Sequence, residues 1–346
     1  MLSKNVKSRW KKRLWLLLLP LLLLLIWFAW RDIPFQQVWQ IFSRLKIWQL
    51  LVLILVNAFI AVLFSMRWWL LLRSDGYRIP YFSLVVYRQV SFAMSYFTPG
   101  PQFGGEPLQV HLVHRHWRVP LDVAVATVTL DKLIELLANF SFLTFGILVI
   151  AEKSFLAVNL AGQLMTALVF LFSLPALYLL VVWRGYRPVT VLAQKALVLW
   201  RSSSKSERLL RFVSNSEDQL ACFCRERFWL MVLSYGFSLL VWGLFVLEYR
   251  LSAFFLGFPL DYDQVIVALT AARLAFLLPF PSGLGALEAS QMLSVKALGI
   301  APAFGVSIAL LIRLRDVIFA SLGLLFASWL ARRNSREASL PIQAGD

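Results

Sequence analysis

A proline- and glycine-broken stretch, Pro279-Phe280-Pro281-Ser282-Gly283-Leu284-Gly285-Ala286-Leu287-Glu288, interrupts a long apolar region of the chain. Arg273 precedes it and a carboxylate closes it. No regular helix runs through such a break, because each proline lacks an N–H donor and clashes with the preceding turn. Backbone left unpaired at membrane depth must be buried in protein or line a wet cavity. Broken apolar segments at matching positions of two halves point to the binding site of a transporter.

A second copy of the break lies upstream, at Pro99-Gly100-Pro101-Gln102-Phe103-Gly104-Gly105-Glu106. Pro99 and Pro279, Pro101 and Pro281, and Gly105 and Gly285 are each offset by 180 residues. Glu106 and Glu288 are offset by 182, as are Pro120 and Pro302, which open the next helices. Within those helices Lys132 and Glu135, and Arg313 and Asp316, form basic–acidic pairs offset by 181. Residues three apart share a helix face. The shared order of hinge, Glu, short arm, Pro and charged helix predicts an internal repeat, with copies at about 82–150 and 262–330.

The 346 residues are 60% hydrophobic with a mean hydropathy of +0.73, the composition of a membrane protein. The net charge of +16 fits the positive-inside rule, since Lys and Arg cluster between apolar segments, and no nucleic-acid module is present. Cys222 and Cys224 are too few ligands for a structural zinc site, and no metal or cofactor is expected. Residues 1–13 carry Lys4, Lys7, Arg9, Lys11, Lys12 and Arg13 without an acid, which predicts a cytoplasmic N-terminus. Trp27, Phe28, Trp30 and Arg31 stand where a signal peptide would carry small residues, so a retained anchor is expected.

The expected architecture is an all-α polytopic membrane protein with one integral domain over 14–330 and a cytoplasmic tail over 331–346. Full spans are predicted at 14–30, 47–72, 121–150, 155–183, 228–247 and 302–330. Arg67, Arg73 and Arg78 gather at the cytoplasmic end of the second. The arms of each hinge are expected as re-entrant hairpins entering from opposite faces, an inverted repeat. That makes about six full spans, or about eight if hairpin arms are counted. Residues 184–227 carry nine Lys or Arg against four acids and form a cytoplasmic loop that lies on anionic headgroups. The expected location is the plasma membrane of a prokaryote-like cell, with both termini inside.

The hinge and charge pattern resembles the lysylphosphatidylglycerol synthase transmembrane region, or flippase-like domain, family. The likeness rests on Gly104-Gly105-Glu106-Pro107-Leu108, Asp131-Lys132-Leu133-Ile134-Glu135, Pro281 to Glu288, and Arg313. It covers roughly Trp10 to Arg333. Gln109 stands where the family usually has Arg after the first Glu, and Asp131-Lys132-x-x-Glu135 replaces a usual Glu-Arg-x-x-Asp. Bifunctional relatives add an aminoacyl-transferase domain, and this sequence stops at Asp346. The resemblance implies lipid translocation between leaflets.

An ionisable side chain at mid-bilayer costs about 2.5–3.5 kcal/mol on insertion scales. Arg88, Glu106, Asp131, Lys132, Glu135, Arg273, Glu288, Arg313, Arg315 and Asp316 therefore need partners or water. They either pair with one another, Lys132 with Glu135 and Arg313 with Asp316, or line a polar cavity. For a phosphate ligand Arg273 and Arg313 are the leading partners and Arg88 the third. Glu106 and Glu288 either bind an ammonium, couple protons, or cap the hinge helices. No nucleophile–base arrangement or nucleotide motif is present, so a non-enzymatic protein is expected. Three readings follow: a flippase for a polar phospholipid or polyprenyl-linked sugar, a transporter of a small soluble anion, and a membrane subunit that positions a separate lipid-modifying enzyme.

Overall fold

A computed structural model describes residues 35–43, 45–97, 104–152, 158–199, 204–278 and 283–339. The expected first span, 14–30, lies outside the described residues, as do Pro99, Pro101, Pro279 and Pro281. Helices α1 (Phe35–Phe42), α2 (Ile47–Ser74), α3 (Tyr81–Phe97), α4 (Glu106–Trp117), α5 (Leu121–Glu152) and α6 (Val158–Trp183) come first. They are followed by α7 (Pro188–Leu199), α8 (Ser204–Glu226), α9 (Phe228–Phe255), α10 (Tyr262–Phe276), α11 (Ala286–Ala297) and α12 (Pro302–Ser339).

Four helical stretches among the described residues are long and apolar enough to cross a membrane: Ile47–Ser74, Leu121–Glu152, Gly162–Trp183 and Phe228–Phe255. The last expected span, 302–330, is helical throughout within α12, with Arg313, Arg315 and Asp316 in its middle. The two arms at each break, α3 with α4 and α10 with α11, are separate helices on either side of the hinge. At about 1.5 Å per residue the 12-residue α4 and α11 reach about 18 Å, short of the roughly 30 Å hydrocarbon core.

Helix boundaries recur along the chain at a fixed spacing. α2 and α9 are both 28 residues long, and their first residues, Ile47 and Phe228, are 181 apart. The same 181 separates the starts of α3 and α10 and of α5 and α12, and α4 and α11 start 180 apart. α2 and α9 also stop in the same way. Gly76 and Gly257 follow them with φ of +90° and +88°, a conformation that L side chains rarely adopt. The next amide closes the turn in each case, Tyr77 N on Leu72 O at 3.1 Å and Phe258 N on Ala253 O at 2.9 Å. The recurrence of helix boundaries takes in α2 and α9 as well.

The two sets of helices exchange contacts. α12 packs on α11 and also against α3, while α5 packs on α4 and also against α10. Small residues permit the close approaches, as expected where lipid gives no drive for helix association. A Cβ on Gly323 would stand 2.3 Å from Gln89 O on α3, and one on Gly146 would stand 1.9 Å from Thr270 Oγ1 on α10. α2 and α9 cross antiparallel between the two sets, since Arg67 meets Ser238 while Asn57 meets Glu248. The sequence groups Arg67 with Arg73 and Arg78 at the helix end, and the structure corrects this. Arg67 is only 1% exposed, because its place in α2 is two turns inside that end, facing α5 and α9.

Candidate functional site

A cavity of about 300 Å³ opens between α2, α3, α4, α5, α9, α10 and α12. It is lined by Ser95, Tyr96 and Glu106 at the first hinge and by Phe276 and Leu277 at the second. Of the charged residues singled out in the sequence, Arg88, Glu106, Asp131, Lys132, Glu135, Arg273, Arg315 and Asp316 line it, while Arg313 and Glu288 lie outside its lining.

On one side α5 places Asp131, Lys132 and Glu135 on consecutive turns. Asp131 accepts a hydrogen bond from Arg67 Nε at 3.0 Å and a second from Arg88. Glu135 lies 3.5 Å from Arg67 and 3.7 Å from Arg88. Arg67 also donates to Ser238 Oγ at 2.6 Å, and Arg88 to Phe64 O at 3.0 Å, with both guanidiniums over the Phe64 ring. Removing one member of such a buried network leaves an uncompensated charge, which costs more than the pair itself contributes.

Lys132 joins the network to the first hinge. Its ammonium lies 3.1 Å from Glu135 and 3.2 Å from Glu106. Glu106 in turn accepts from Gly104 N at 2.9 Å, so it both ties down the hinge backbone and holds a cation. The second hinge has the same construction. Arg313 of α12 donates to Glu288 at 3.0 Å and to Gly283 O at 2.8 Å. The expected pairing of Arg313 with Asp316 is not formed. Arg313 reaches the hinge, and Asp316 is taken by its neighbour Arg315 at 2.9 Å. Arg315 also reaches Glu248 at 3.2 Å, whose other oxygen accepts from Asn57 at 3.3 Å.

Arg273 is held differently. Its guanidinium lies 4.8 Å from the Trp242 ring centre and 4.6 Å from that of Phe245. Among the described residues it has no ion pair and no hydrogen bond, because Arg315 occupies the carboxylates of Glu248 and Asp316. Cation–π contact with two rings compensates part of its desolvation and leaves its N–H donors facing the cavity.

Arg67 and Glu248 are the members of this site that the sequence reading left out of its set of intramembrane charges. The repeat spacing would have found both. Arg67 and Glu248 are 181 apart, as are Asn57 and Ser238, so the two crossing contacts, Arg67 with Ser238 and Asn57 with Glu248, exchange under that spacing. Two of the three histidines of α4 serve local structure: His114 Nδ1 contacts Val119 O at 2.8 Å and His116 Nδ1 contacts Leu112 O at 2.9 Å.

The chain is similar to UPF0104 membrane proteins of two archaea. One, from Methanocaldococcus jannaschii, is 23% identical over 276 residues, 78% of this chain and 80% of the relative. The other, from Methanothermobacter thermautotrophicus, is 24% identical over 268 residues, 73% of this chain and 76% of the relative. No solved structure matches. Residues 15–323, which include both hinges and every charge of this site, match the lysylphosphatidylglycerol synthase TM region, and the chain is a membrane protein of that family.

Proposed function

We propose that this protein is a flippase-like transporter that moves a polar lipid, a phospholipid or a polyprenyl-linked sugar with an anionic headgroup, between membrane leaflets. The observation that carries the reading is Arg273, a guanidinium facing a cavity within an otherwise ion-paired site. A phosphate oxygen is the acceptor its donors lack. The role is transport, not catalysis, and it takes place in the cell membrane with both termini on the cytoplasmic side.

Alternating access is the mechanism in this reading, with the two sets of helices as an inverted repeat. The antiparallel crossing of α2 and α9 and the matching hinge ion pairs support it. The short α4 and α11 support hinges that re-enter the membrane rather than cross it. Lys132–Glu106 and Arg313–Glu288 then close opposite mouths of one cavity in turn.

Purified protein in liposomes carrying a fluorescent anionic phospholipid tests the reading. Wild type should expose the headgroup to an added quencher, and Arg273→Ala should slow exposure at least tenfold while its thermal denaturation is unchanged. Equal rates for a well-folded Arg273→Ala variant would reject it.

A further inference from the structure

We infer that α7, with the turn before it, is an in-plane anchor for an anionic phospholipid surface, the leaflet that flanks the connection between α6 and α9. α7 is an apolar helix that packs chiefly on α8 and, less, on α6. Thr190 is buried against that support, whereas Tyr186 is 67% and Leu192 66% exposed. Val189, Leu192 and Lys195 recur three apart on the outward face.

That face is fixed by a built contact. The buried carboxylate of Glu217 on α8 accepts from Val189 N at 2.9 Å, from Thr190 N at 2.8 Å and from the Thr190 hydroxyl at 2.6 Å. These bonds satisfy the first amides of α7 and set its rotation, so its apolar side points away from the protein by construction. Arg184 and Lys195 are exposed on either side of the apolar patch and have no ion pair among the described residues. Outward apolar residues flanked by unpaired bases, with Trp183 and Tyr186 at the edge, match the chemistry of an anionic headgroup layer.

The anchor is mechanically continuous with the charged site. Leu220, Phe223 and Cys224 on the far half of α8 pack in one core with Leu130 and Ile134, which alternate on α5 with Asp131 and Glu135. The inference is independent of the transport reading.

The test uses the full chain in vesicles, with Leu192→Cys in a Cys222→Ser background carrying an environment-sensitive thiol fluorophore. Cys224 is buried and stays unlabelled. Vesicles are phosphatidylcholine alone or mixed with phosphatidylglycerol. Brominated lipid should quench the label, and more strongly with phosphatidylglycerol, each base favouring the anionic surface roughly fivefold. Arg184→Gln with Lys195→Gln should remove that increment and leave the remaining quenching. Three results would overturn the inference. Quenching by iodide and not by lipid would place α7 in water for a protein partner. Energy transfer between labels that vanishes on dilution would mean a second copy covers the face. Lipid quenching equal in both vesicles would exclude recognition of anionic headgroups.

Discussion

The ammonium of Lys132 stands 3.2 Å from the carboxylate of Glu106, and 181 and 182 residues further along the chain Arg313 stands 3.0 Å from Glu288. In each case a base from a long helix holds the acid that begins the short helix after a Pro/Gly break. If the two contacts close opposite mouths, each must open once per cycle. Glu106→Gln and Lys132→Met should each slow lipid exchange in liposomes. The exchanged pair, Glu106→Lys with Lys132→Glu, should recover part of it, with a coupling of about 0.5–3 kcal/mol in a double-mutant cycle. Recovery no better than the single variants would show that the contact has no gating role.

Asp131 is the acid on which two buried guanidiniums converge. Asp131→Ala should therefore destabilise the protein by about 3–5 kcal/mol, because Arg67 and Arg88 lose their shared counter-charge. Denaturation in detergent measures it, and Asp122→Ala at the start of the same helix should have little effect, since among the described residues Asp122 bonds only its neighbouring amide.

The crossing of α12 over α3 depends on an absent side chain. Gly323→Ala should cost about 1–3 kcal/mol, because its methyl would meet backbone that has nowhere to move. Gly236→Ala in α9, where a Cβ meets nothing within 4 Å, should be neutral or stabilising. Thermal shifts of the two variants side by side separate close packing from helix propensity.

Burial pushes the Cys224 thiol up to about 11, while Cys222 on the same helix is only partly buried. At neutral pH a maleimide should label Cys222 first and reach Cys224 only after denaturation. The raised value also sets a direction for stability. The unfolded chain releases the proton near pH 9 and the folded one near 11, so any stability held by the neutral thiol is intact below pH 9 and is lost as pH rises toward 11. Cys224→Ala should flatten the stability profile over that window.

Much of this was legible in the sequence. The spacing of Glu106 and Glu288 and of Lys132 and Arg313 marked the hinges and the helices that hold them, because a charge inside an apolar run is costly unless it has a partner. The spacing did not reveal which partner. Arg313 and Asp316 are three apart and share a face, yet Arg313 turns to Glu288, since packing of α11 on α12 brings that acid closer than rotamer preference brings Asp316. Arg67 was hidden for a different reason. Beside Arg73 and Arg78 it resembles the basic fringe of a membrane helix, and only the position of Ser74 as the last residue of α2 shows how deep it lies.

The exchange of neighbours between the two sets of helices has a further consequence. The surface α12 needs is supplied by α3, and the surface α5 needs is supplied by α10. A chain cut between α8 and α9 would therefore yield two fragments, each presenting a groove shaped for a helix that the other carries. Neither fragment is then expected to fold alone, and their joint insertion should restore the whole. What recurs along the sequence as two copies is, in space, a single interlocked body.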